Sequence, residues 1–295
     1  MLIGIGFVIA ASTAGFGQVI YDSGGFDASR FSTTFTNPTD PGVTGDLSGQ
    51  DAGVNQWSYV GPTPASTATG TAQVVTNTQF TFNPSTQSVH VITGTANDLW
   101  GPSFNYDATG KSVAITWEMS NDLMQNNGVV LGQEAYIGIN VFGNVLSDGT
   151  LSSALLAGAG VNFQNTQLFY FDGSSTPTGV LTLPNRVGVG WHQYELDLNY
   201  TSQTYQLLID NNLSVTAPFL VTTNSLTGVD IATWVPQSPV AEGWGAAYID
   251  NLVVAAVPEP SAVILGLLGL LALNARQRRM FSKGRTARAS DVGRG

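Results

Sequence analysis

Along much of this chain apolar and polar residues alternate with a period of two, the spacing at which side chains fall on opposite faces of a β-strand. Residues 191–200 show it most plainly. His192, Tyr194, Leu196, Leu198 and Tyr200 share one face, and Gln193, Glu195, Asp197 and Asn199 share the other. In residues 203–209, Tyr205, Leu207 and Ile209 lie on one side, and Asp210-Asn211-Asn212 then predicts a turn, because Asn and Asp tolerate positive φ. Residues 112–119 repeat the pattern with Val113, Ile115, Trp117 and Met119 inward. Further strands are predicted at 73–82, 87–93, 135–146, 161–171, 215–222 and 245–256. No stretch between the ends keeps a helical period. Many strands joined by short polar turns predict an all-β fold, a jelly-roll β-sandwich. Residues 61–72, small, polar and containing proline, read as a long surface loop inside that domain.

Composition supports a folded body. The chain has 295 residues, 43% hydrophobic and 10% charged, enough apolar material for a sizeable core. Its charge is uneven. Between Gln18 and Ala256 there are three basic residues (Arg30, Lys111, Arg186) and eighteen acidic ones, a formal balance of 3 − 18 = −15. Such a surface repels phosphate backbones and argues against nucleic acid as a partner. There is no cysteine, which removes disulfides, thiol catalysis and thiolate metal sites.

The two ends depart from the strand pattern. Residues 2–11 (LIGIGFVIAA) are an apolar run followed by small residues, which reads as a signal peptide over 1–17. At the other end, Pro258, Glu259 and Pro260 precede a twelve-residue apolar segment, 262–273, and then Arg276, Arg278 and Arg279. Pro260 suits a first helical position, and Glu259 sits where a helix dipole favours negative charge. Twelve helical residues rise only about 18 Å, short of a hydrocarbon core of about 30 Å, so snorkelling arginines and local thinning would have to extend the reach. Arginines on the cytoplasmic side would leave the acidic body outside. A basic tail, 280–295, follows.

Motif, apolar helix and arginine cluster, in that order, resemble the PEP-CTERM sorting signal. The resemblance implies processing by an exosortase, a membrane transpeptidase-like enzyme, in a Gram-negative cell that makes exopolysaccharide. It also implies a protein anchored to the membrane in transit and then held at the cell surface or in the extracellular matrix. The expected organisation is therefore a signal peptide (1–17), a β-sandwich (18–256), a sorting signal with a short hydrophobic anchor helix (257–279) and a tail (280–295).

Short stretches of the body resemble jelly-roll domains of the concanavalin A-like lectin/glucanase class. They are 45–50 (GDLSGQ) with Trp57, Trp191-His192 opening a strand, Asp210-Asn211-Asn212 at a hairpin, and 248–252 (YIDNL) in the last strand. This likeness concerns fold and says little about ligand.

Candidate chemistry is sparse. Glu195 and Asp197 alternate on one strand face about 7 Å apart, within the separation a glycosidase needs. The glucanases of this class carry Glu-x-Asp-x-x-Glu, however, and Tyr200 stands at the third position here, so an ordinary polar face is the expectation. His90 and His192 are the two histidines. No Gly-x-Ser-x-Gly elbow or phosphate loop occurs. For binding, Asn97, Asp98 and Trp100 fall in a predicted loop and are candidate ligand contacts, with Trp234 and Trp244 as further aromatic platforms. Asp250-Asn251 and the loop from Asp40 to Asp51 offer oxygen ligands for a structural calcium, without EF-hand spacing; no other cofactor is expected. The expectation is a non-enzymatic exported protein that touches polysaccharide. The alternatives are a structural envelope protein without a specific ligand, or a glycan hydrolase or lyase.

Overall fold

A computed structural model of the chain describes residues 17–38, 40–51, 55–59, 70–76, 87–94, 97–121, 136–147, 150–162, 167–173, 179–182, 190–234 and 245–257. The chain divides into a body, Gln18–Ala256, and a second unit made of Met1–Gly17 and Val257–Gly295. The signal peptide, the Pro258, Glu259, Pro260 motif, the anchor helix, Arg276, Arg278 and Arg279, and the tail lie outside the described residues.

Among the described residues the secondary structure is all β. The strands are β1 (Val19–Asp22), β2 (Thr36–Asn37), β3 (Asp40–Thr44), β4 (Trp57–Tyr59), β5 (Thr71–Thr76), β6 (Gln87–Ile92), β7 (Leu99–Asp107), β8 (Ser112–Asn121) and β9 (Tyr136–Ser147). They continue with β10 (Thr150–Asn162), β11 (Gln167–Tyr170), β12 (Gly179–Thr182), β13 (Trp191–Asn199), β14 (Thr204–Ile209), β15 (Asn212–Pro218), β16 (Ser225–Trp234) and β17 (Ala246–Val257). Sheet I runs β15-β14-β13-β8-β17-β6-β5, with β1 also paired to β17. Sheet II runs β12-β11-β10-β9-β16-β7-β4, and β2 and β3 form a small ribbon.

Alternation places the sheet I strands correctly. Val113, Ile115, Trp117 and Met119 of β8 and Tyr194, Leu196 and Leu198 of β13 are buried, as expected. The two strands pair antiparallel in unbroken register, which stacks Trp117 on Tyr194 with centroids 5.4 Å apart. At the β14–β15 hairpin, Asp210 and Asn211 both adopt positive φ, 50° and 62°, and Ile209 pairs with Asn212. This is the two-residue turn that the residues predict. From sheet II, Ile137, Ile139 and Val141 of β9 and Val229 and Ile231 of β16 join the same core.

Sheet II also holds the departures. Trp100, expected in a loop, stands in β7. The run 161–171 is two elements, the end of β10 and the whole of β11. Strands β7 and β16 went unpredicted; in β16 and in the first half of β7 the alternation that marks a half-solvated strand is absent. From Gly228 to Thr233 every residue of β16 is buried, as in a strand covered on both faces.

Candidate functional site

The outward face of sheet I carries the sequence-predicted carboxylates. Glu195 and Asp197 lie side by side on β13, and burial together with Asp197 pushes the Glu195 carboxyl up to about 7. Both are half-buried. Beside them on β8, Glu118 accepts a hydrogen bond from Asn251 Nδ2 at 3.0 Å. His90 stacks on Tyr248 at 4.6 Å and 17°. Tyr200, in place of a third carboxylate, is buried against Phe219. His192 lies near the start of β13 with Nδ1 2.8 Å from Asp210 Oδ2.

The expected contacts Asn97, Asp98 and Trp100 do not share a surface. Asn97 is exposed. Asp98 is wholly buried and accepts hydrogen bonds from Tyr59 Oη (2.6 Å) and the Gly70 amide (2.8 Å). Trp100 lies in the core at 2% exposure, its ring 5.8 Å from that of Tyr59. Asp98 thus ties β4 and residue 70 to β7. Asp250 accepts the Asn251 amide proton at 2.7 Å, and Asp46 accepts from Asn37 Nδ2 and the Ser48 amide. Among the described residues no three acidic or histidine side chains gather as a metal site would. Trp244 and Arg186 lie outside the described residues.

The outward face of sheet II carries a different arrangement. Asp230 on β16 and Asn140 on β9 are cross-strand partners, each 4% exposed. Asn140 is followed across the sheet by Gly158 on β10. The next row runs Ala232, Gly138, Gly160, Phe169, and the one after it pairs Trp234 with Tyr136. Phe169 packs edge-on against Tyr136 at 4.4 Å and Trp234 at 4.6 Å, and Phe171 closes the cluster 6.1 Å from Phe169.

Glycine is required on this floor for lack of room. A Cβ at Gly101 would lie 2.0 Å from Asp230 Oδ1, and one at Gly158 would lie 2.5 Å from Asn140 Oδ1. At Gly160 it would meet the rings of Trp234 (2.7 Å) and Phe169 (2.8 Å). The polar pair and the aromatic wall therefore lie down over bare backbone.

The electrostatics single out Asp230. No hydrogen-bond donor among the described residues reaches its carboxyl, and burial alone pushes it up to about 7. Asn140 Oδ1 is likewise buried without a partner. An unpaired buried carboxyl and an unpaired buried amide oxygen side by side are uncommon in a structural role and mark a functional-site candidate. Sequence reading picked out Trp234 but missed Asp230, Asn140, Phe169 and Phe171. The available signal was the alternating glycines at 138, 158 and 160, which show backbone kept clear on one face, and a lone acid in the apolar run 228–234.

Fold and face define a jelly-roll type β-sandwich. No family model and no curated protein matches the chain. Several solved structures resemble it weakly, each with a TM-score below 0.5. An endo-β-1,4-glucuronan lyase from the fungus Trichoderma reesei is 13% identical over 63% of this chain and 87% of its own, with a TM-score of 0.42. A galectin-like protein of unknown function from Bacillus subtilis is 10% identical over 83% of this chain and 99% of its own, with a TM-score of 0.43. An alginate lyase from Pseudomonas aeruginosa is 11% identical over 57% and 82%, with a TM-score of 0.39. The chain spans only 17% of a sialidase that it also matches. These likenesses concern the sandwich and do not carry a substrate across. They do correct one expectation. Sandwiches like this one include lyases, so the expectation of a non-enzymatic domain, drawn from missing motifs, does not stand.

Proposed function

We propose that the body engages polysaccharide at the outward face of sheet II, with Asp230, Asn140 and the aromatic wall of Tyr136, Phe169, Phe171 and Trp234 as its working parts. One observation carries this reading: the buried Asp230 carboxyl and the unpartnered Asn140 Oδ1 are cross-strand neighbours on the face that also holds the edge-packed rings of Tyr136, Phe169 and Trp234. A sugar ring presents apolar C–H faces to aromatics and hydroxyls to carboxylate and amide, and this face offers both kinds of contact. The test is retention of the full-length protein on immobilised polysaccharides. Trp234→Ala and Asp230→Ala should each weaken retention about tenfold without loss of the β-sheet circular dichroism signal. Undiminished retention in both variants sinks the assignment of the site.

Turnover at the same face is the second reading, favoured by an Asp230 carboxyl near 7, which can give or take a proton at neutral pH. Its cross-strand neighbour is an amide, Asn140, where a hydrolase would place a second carboxylate. New chain ends released from a bound polysaccharide by the wild type, and not by Asp230→Asn, would support turnover.

The second part of the proposal concerns placement. The chain is exported and then sorted by an exosortase through Pro258, Glu259 and Pro260, the apolar segment behind them and Arg276, Arg278 and Arg279. It is carried by the order of these features in the sequence. Deleting 258–279 should remove the protein from the cell surface. A normal surface amount without that segment refutes the sorting role.

A further inference from the structure

We infer that the β9–β10 hairpin is a membrane-docking tip that seats one end of the body on a zwitterionic lipid surface. The inference rests on residues 262–273 being a membrane anchor. Among the described residues the exposed large apolar side chains are Val19, Leu146, Leu151 and Val257, and strand pairing gathers them at one end of the body. At that end the chain crosses from β7 to β8, and the Ala108 amide donates to the Asn224 carbonyl. Strand β9 arrives there, because the Asn144 amide donates to Ser225 Oγ at 2.8 Å and Ser225 pairs with Asp107. Strand β17 starts at the opposite end. There Ala246 pairs with Ile92, Ile92 with Thr71, and the Gly70 amide donates to Asp98 just before β7. It therefore finishes at the hairpin end, where Val19 pairs with Ala255.

The hairpin reaches past its sheet. Strand β16 accompanies β9 only to Phe142, and β11 joins β10 only from Ala159 onward. Beyond Asn144 the two strands form a ribbon, an arrangement that is marginal in water without cover. Leu146 and Leu151 are cross-strand partners near its tip, 74% and 63% exposed, so they share a face. Leu146 stands about 13 Å past the Phe142 row at strand rise. Chain length names the occupant. Residues 257–261 alone separate Ala256 from the apolar segment, and fully extended they span at most about 20 Å. A bilayer entered by that segment is therefore within the ribbon's reach. Two leucines are too small a patch for a second copy, since a specific interface buries about 1,200 Å² or more. They suit shallow insertion at a lipid interface, made effective by the tether. The formal balance of −15 over 18–256 disfavours anionic lipid.

The chain has no cysteine, so Leu146→Cys accepts a single environment-sensitive dye at the tip. Gln193→Cys accepts the same dye on β13, toward the opposite end from the Asn199–Ser112 pair. Each full-length variant is reconstituted in phosphatidylcholine vesicles whose acyl chains carry doxyl quenchers. A tip inserted by about 5–10 Å should lose about half of its dye emission, and the Gln193 dye should lose none. Leu151→Ser added to Leu146→Cys should weaken the quenching severalfold, and phosphatidylserine in the vesicles should weaken it as well. Vesicle-bound protein whose Leu146 dye is quenched no more than the Gln193 dye overturns the docking and leaves the anchor reading standing. Protein that does not float with the vesicles overturns both. A blue-shifted Leu146 dye without doxyl quenching shows a second copy on the patch, and the docking falls. Circular dichroism confirms that each variant is folded.

Discussion

The outward faces of the two sheets treat their carboxylates in opposite ways. On sheet I, Glu195 and Asp197 neighbour each other, Glu118 is held by Asn251, and all of them are half-buried among Gln193, Thr116 and Gln206. On sheet II, Asp230 is buried against Gly101 with no donor among the described residues. Both faces raise a carboxyl to about 7. On sheet I burial acts together with the neighbouring Asp197, while on sheet II desolvation acts alone. The motif that resembles catalysis in sequence is thus a half-exposed pair, and the more deeply buried carboxyl lies on the other sheet. Chemical potential follows the missing partner more closely than the spacing of acids along one strand.

The sharpest way to break this comparison is to fill the floor on one side only. Gly101→Ala places a methyl against Asp230 Oδ1 and 2.5 Å from the Val229 carbonyl oxygen, which is backbone and cannot swing away. A loss of about 3 kcal/mol is expected by chemical denaturation, whereas Ala114→Val on the outward face of sheet I should change stability by less than about 0.5 kcal/mol. Equal losses would mean that the sheet II floor is not specially tight.

Next comes the pH dependence of Asp230. Its pKa is higher folded than unfolded, so the folded state is the better proton binder. Stability is fullest below the ordinary carboxylate range and is lost as pH rises from about 4 to about 7. Asp230→Asn removes that loss. Unfolding by urea should show the variant equal to wild type near pH 4 and more stable near pH 8 by on the order of 3 kcal/mol. A difference independent of pH would show that the carboxyl is not desolvated.

The smallest effect belongs to Glu195. Its pKa is also raised, so Glu195→Gln should stabilise in the same direction over the same pH window, but less than Asp230→Asn, because solvent screens the half-exposed pair. A larger gain at Glu195 than at Asp230 would reverse the ranking of the two faces.

Much of sheet I was legible beforehand. Tyr194, Leu196 and Leu198 alternate with Gln193, Glu195 and Asp197 because one side of β13 meets core and the other meets water. The turn at Asp210 and Asn211 was legible because those residue types accept positive φ. Sheet II was less so. In β10 the small residues 157–160 are buried on both faces, and in β16 the run 228–233 is too, so no polar phase marks the strand. Trp100 was placed in a loop for the same reason.

By itself the sequence determined the all-β class, the inward face of each alternating strand, the acidity of the body and the separate character of its two ends, because these follow from local periodicity and composition. Tertiary structure alone decided that Asp230 and Asn140, distant along the chain, become cross-strand neighbours. It alone buried both and left the Asp230 carboxyl and Asn140 Oδ1 without donors, because burial and hydrogen-bond satisfaction depend on what long-range strand pairing brings alongside.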